Sequence, residues 1–109
     1  LSTASLGADT TVYTATGEIT DTGYTAGGIA LTAITPTSSG TTAYTSFSAA
    51  TFTGVVSSVI AGALIYNSSK SNKSVAVLDF GSMKTSSVAT PLVITFPTAS
   101  ATTAIIRLP

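Results

Sequence analysis

Acid–base or cation chemistry in this chain would fall first to four carboxylates, Asp9, Glu18, Asp21 and Asp79. Glu18 and Asp21 are close enough to share a hard cation with neighbouring backbone carbonyls. Calcium sites gather more acidic oxygen than two side chains supply, so both read as solvated turn residues. Asp79 differs, because it alternates with Val75 and Val77 inside an apolar run. A catalytic acid there would need a partner titrating near neutrality, and the sequence offers none. Its strand position argues against full exposure. The expectation is that Asp79 pairs with Arg107 or accepts backbone hydrogen bonds at the turn before Lys84.

Nucleophilic chemistry fares no better. The chain has 0 His and 0 Cys, which removes imidazole bases, thiolates, disulfides and the usual zinc ligands together. A serine nucleophile would then depend on lysine, and the candidates Ser68-Ser69-Lys70 and Ser71-Asn72-Lys73 share one polar loop. A Ser-x-x-Lys nucleophile belongs on a packed helix, and no helix is expected there. Asn67-Ser68-Ser69 and Asn72-Lys73-Ser74 match the glycosylation pattern, a frequent coincidence in a loop of this composition. The glycines from Gly23 to Gly28 resemble a phosphate loop, yet a strand pattern follows them where phosphate binding needs a helix N-terminus. No catalytic, cofactor-binding or metal residue is assigned, and the chain reads as a non-enzyme.

Binding is constrained by charge. The basic residues are Lys70, Lys73, Lys84 and Arg107, too few and too scattered for a cationic nucleic-acid groove. Tyr13, Tyr24 and Tyr44 are the one plausible aromatic platform for a carbohydrate. Charged residues are 7% of the chain and the net charge is +0, so little repulsion keeps copies apart and association is favoured. No run approaches the roughly 18 apolar residues of a membrane span, and the opening residues lack the layout of a signal peptide.

These residues must be positioned by β-structure. Hydrophobic residues are 44% of the 109, and Ser plus Thr make up about a third, a composition suited to strand surfaces and unlike disorder. The organising element is a hairpin with arms at 59–66 and 75–80 and an Asn/Ser/Lys loop between them. Both arms are apolar on both faces, which predicts a central position covered on each side. Around it, strands are expected at 10–16, 29–35, 41–47, 51–53, 92–96 and 104–108, with turns at 21–23, 27–28 and 38–40 and a polar loop at 82–90. Residues 1–9 are small and polar and read as the tail end of an opening strand followed by a turn at Gly7. The expected fold is a single all-β domain over 1–109, an antiparallel β-sandwich of immunoglobulin-like or jelly-roll type with about seven to nine short strands.

The order Gly17-Glu18-Ile19, Thr22-Gly23-Tyr24-Thr25-Ala26-Gly27-Gly28, Leu31-Thr32, Ala63-Leu64-Ile65-Tyr66, Val77-Leu78-Asp79-Phe80-Gly81 and Ile94-Thr95-Phe96 resembles that of small structural proteins of tailed bacteriophages. The resemblance spans nearly the whole chain. Ala50 and Phe52 stand where such proteins tend to carry an acidic residue and Trp. What it implies is a virion component without enzymatic activity or cofactor. Its partners would be capsid or tail subunits, met through repeated lattice or homo-oligomeric contacts. A capsid decoration or cement subunit is the first reading. A tail or head–tail accessory protein and a host-surface glycan module are the alternatives.

Overall fold

A computed structural model describes residues 6, 7 and 9–108. The start of the chain, where the tail of an opening strand is expected, lies outside them. Among the described residues seven strands follow in order: β1 (Thr37–Ser39), β2 (Thr42–Thr45), β3 (Ala50–Phe52), β4 (Ser57–Asn67), β5 (Lys73–Ser86), β6 (Leu92–Ile94) and β7 (Ile106–Leu108). They pair as β1-β2-β7, β3-β6 and β4-β5. The class is all-β with antiparallel sheets, of the small β-sandwich-like kind. Among the described residues the only helical element is the 3-10 turn Ser68–Lys70, and no helix is long and apolar enough to cross a membrane.

Two compact units form. One comprises the described residues through Gly28 together with Thr53–Leu92, and the other Ile29–Phe52 together with the residues from Val93 onward. In the first unit β4 and β5, at 11 and 14 residues, make the long hairpin that the apolar runs predict. Its register runs from Asn67↔Lys73 at the tip to Ser57↔Ser86 at the base. Ile60 and Ile65 of β4 are buried with Ile19 and Val55.

Two expectations about this hairpin are corrected. β5 runs on to Ser86, so 82–86 is strand and not polar loop. The register advances only from Ile60 to Gly62 on β4 while β5 covers Lys84 back to Asp79, so residues around Gly81 bulge out. Gly81 supplies the positive φ of +73° that the bulge requires. Beyond it, polar residues face outward and only Ser86 turns in, donating to Val55 O at 2.9 Å and accepting from Leu92 N at 3.0 Å. The hairpin is also not sheathed on both faces: β4 and β5 form a two-stranded sheet, and Val59 and Val75 remain 40% and 47% exposed. Bulges and small residues break each arm into short faces, so apolar composition alone overstated how much is covered.

The second unit holds β1-β2-β7 and β3. Here the expected strand at 29–35 reduces to a single bridge, Ala33↔Phe47, flanked by hydrogen bonds from Ile34 N to Ser46 O and from Ser48 N to Thr32 O. The strand that pairs with β2 lies after Pro36, over Thr37–Ser39, so Ser38 and Ser39 of the expected turn at 38–40 are strand, and Gly40 makes the turn at φ +58°. Proline lacks a donor but can precede a strand, so it marked the start and not the end. Ser46 is fully buried and donates to Pro97 O at 2.7 Å, while Phe47 and Phe96 meet edge to face at 5.4 Å. At the C-terminal side the strands are shorter than expected, Leu92–Ile94 and Ile106–Leu108.

Candidate functional site

The polar cluster with the most converging groups is built around Glu18, in the first unit. Residues 10–16, expected as a strand, make only one bridge, Val12↔Lys73, beside hydrogen bonds from Tyr13 N to Asn72 O and from Ser74 N to Thr11 O. That short pairing fixes Tyr13 beside the hairpin tip. Its ring lies against Tyr66, with centroids 4.8 Å apart and planes tilted by 33°. The chain then turns at Gly17, φ +73°, and delivers Glu18 beneath the rings.

Glu18 is the acceptor for three donors. Tyr13 OH donates to Oε2 at 2.6 Å, while Tyr24 OH and Gly27 N donate to Oε1 at 2.8 and 2.7 Å. Tyr66 OH closes the circuit by donating to Gly27 O at 2.8 Å. The reading of Glu18 as a solvated turn residue is therefore corrected: the carboxylate ties three stretches of chain together. The glycine-rich segment 23–28 does bind an anion, but the anion belongs to the same chain. Gly27 and Gly28, at φ +90° and +81°, let the backbone curl around it.

The electrostatics follow from this geometry. Burial pushes the Glu18 carboxyl up, but hydrogen bonds from Tyr13, Gly27 and Tyr24 together outweigh it and hold the carboxyl below its ordinary value. Each donor is shifted in return. The hydrogen bond to Glu18, reinforced by burial and by the nearby negative charge, pushes Tyr13 up to about 12. Burial, then the same carboxylate, pushes Tyr24 up as well. Glu18 is thus ionised and spoken for at neutral pH, which suits a clamp and not a proton carrier.

The other sequence candidates lie elsewhere. Asp21 has a backbone role, its carbonyl accepting Tyr24 N at 3.2 Å. Asp9 lines an open cavity of about 350 Å³ with Thr10, Thr11, Thr14 and Thr16. There Thr10 and Thr14 hydroxyls are already engaged by Gly7 N and Thr16 N. Asp79 is exposed, against expectation, on the same open face of β5 as Val75; it accepts Gly81 N at 2.8 Å, the backbone alternative. Arg107 donates instead to Thr102 O at 2.8 Å. Among the described residues no group of three or more His, Cys, Asp or Glu could hold a metal ion.

At the hairpin tip, Asn67 Oδ1 accepts both Ser69 N and Ser69 Oγ, at 3.0 and 2.7 Å. The Ser69 hydroxyl is thereby committed to a cap and not to Lys70. Of the three tyrosines expected as a platform, Tyr13 and Tyr24 come together, whereas Tyr44 sits in β2 of the other unit. Tyr66 and Gly27 were not anticipated as members of the cluster. The turn signal at Gly27-Gly28 was visible, but nothing in the spacing says which acid the turn encloses. Compared with protein-family models, curated proteins and solved structures, the chain matches none.

Proposed function

We propose that this chain is a non-enzymatic structural subunit of a bacteriophage particle, a capsid decoration subunit that binds the major capsid protein and recurs across the capsid lattice. The observation that carries the reading is apolar surface on a molecule with no net charge. Val12, Val56, Val59, Val75, Met83 and Val88 are exposed by 40 to 73%, and the net charge is +0. Side chains of this kind gain most when a partner covers them, and no charge repulsion opposes that contact. The phage-like motif order adds support, since Gly17-Glu18 and the 22–28 segment form the clamp that holds the unit in shape.

The glycan-module reading has less support. Tyr13 and Tyr24 donate their hydroxyls inward to Glu18, and Tyr13 and Tyr66 present ring faces to each other and not to a ligand. The test is to assemble particles without the protein. A decoration subunit predicts loss of resistance to heat or to low-salt and chelating stress, and a tail component predicts lost infectivity with intact capsids. Normal heat resistance with normal infectivity would overturn the assembly reading.

A further inference from the structure

We propose that the tip of the β4–β5 hairpin, residues 67–73, is a preformed docking finger for a carboxylate-bearing surface on a different protein subunit, a proposal that rests on the assembly reading above. Every residue from Asn67 to Lys73 is exposed. Within these seven residues stand two of the four basic side chains of the whole protein, Lys70 and Lys73, and no acidic one. Neither ammonium has a hydrogen-bond or ion-pair partner among the described residues. Glu18, linked to the tip through Tyr13, is already engaged by Tyr13, Tyr24 and Gly27.

The tip is also held in shape. Ser71 and Asn72 both adopt left-handed backbone, at φ +55° and +57°, a conformation disfavoured for an L-residue such as Ser71. Strain of this kind persists only where surrounding contacts over-determine it. Those contacts are present: Asn67 caps the 3-10 turn, Tyr13 N binds Asn72 O, Val12 bridges Lys73, and Ser74 Oγ binds Thr10 O. Tyr66, the residue before the tip, stacks on Tyr13, whose hydroxyl is fixed by Glu18. The clamp therefore serves to present the finger, and a rigid finger loses little entropy on docking.

Chemistry selects the occupant. Two ammonium groups, with Ser68, Ser71 and Asn72 side chains that have no hydrogen-bond partner among the described residues, suit carboxylates and polar groups of a protein rim, where exposed charge sets register and encounter rate. A nucleic acid is disfavoured, because two cations release few counterions and no aromatic residue lies within 67–73 for bases to stack on.

The test is an NMR titration of the purified chain with poly-L-glutamate and, separately, with a single-stranded oligonucleotide. Shifts confined to 67–73 with polyglutamate, weakened at least about fivefold in the Lys70→Gln/Lys73→Gln double variant and by added salt, are expected. A Lys84→Gln control should bind as the parent does. Tighter binding of the oligonucleotide at the tip would overturn the proposal. So would shifts centred elsewhere, no shifts with polyglutamate, or concentration-dependent tip shifts without it, the mark of self-association. Absence of the protein from particles would remove the assembly reading while leaving the titration to decide the finger.

Discussion

Tyr13 and Tyr66 lie ring against ring, centroids 4.8 Å apart, and so couple a segment far upstream in the chain to the end of β4 where the hairpin tip begins. Both hydroxyls are anchored, Tyr13 on Glu18 and Tyr66 on Gly27 O. A double-mutant cycle of Tyr13→Leu and Tyr66→Leu should return a coupling of about 0.5–1.5 kcal/mol, the range of aromatic pairs beyond their area burial. Additive effects in chemical denaturation would mean that the stack does not brace the tip.

Glu18 should make the protein acid-sensitive in a defined direction. Its folded carboxyl titrates below the ordinary 4.5, so its contribution is fully present above that pH and is lost as pH falls through the folded value. The stability difference between the parent and Glu18→Gln is therefore expected to be flat from neutrality down to about pH 5 and to shrink below it. At neutral pH the substitution should cost about 1.5–3 kcal/mol, the range for hydrogen bonds to a charged group. A difference independent of pH in thermal melts would show that the clamp does not depend on ionised Glu18.

At the alkaline end the sign reverses. Tyr13 is raised from 10.0 to about 12, so its contribution holds below pH 10 and drains away as pH rises toward the folded value. Phenolate absorbance should contain a late component that Tyr13→Phe removes and Glu18→Gln moves to lower pH. A Tyr13 that ionises together with a free tyrosine would contradict the hydrogen bond.

What the sequence disclosed and what it hid have the same physical origin. Arms 59–66 and 75–80 were plain because their apolar, β-branched runs and the Asn/Ser/Lys loop are local signals. The extension of β5 to Ser86 was hidden because Asp79 and Gly81 build a bulge, after which polar residues pair while facing solvent. The strand expected at 29–35 failed because alternation around Ile29, Leu31 and Ile34 is an intrinsic preference, and pairing there comes down to one bridge. Glu18 was visible as a residue but not as a hub. Its three partners come from the bridged segment at Tyr13 and from the turns at 23–28, whose meeting depends on Gly17, Gly27 and the hairpin tip, and spacing does not encode such a meeting.

Gly23 offers a sharper test of those turns. It sits at φ +82°, and a Cβ there would lie 2.0 Å from Gly54 O, whereas a Cβ at Gly40, φ +58°, would meet nothing within 4 Å. Gly23→Ala should therefore cost at least about 2 kcal/mol more than Gly40→Ala, since only the former adds a backbone clash to the left-handed penalty. Equal costs by denaturant titration would mean that 23 and 54 do not approach as described.

The most direct test of the assembly reading is the copy number of this protein in purified phage particles, measured by quantitative mass spectrometry against labelled peptides. A decoration subunit predicts on the order of hundreds of copies, in a fixed ratio to the major capsid protein as lattice symmetry demands. Small multiples of three or six would move it to the tail, and its absence from the particles would contradict the account.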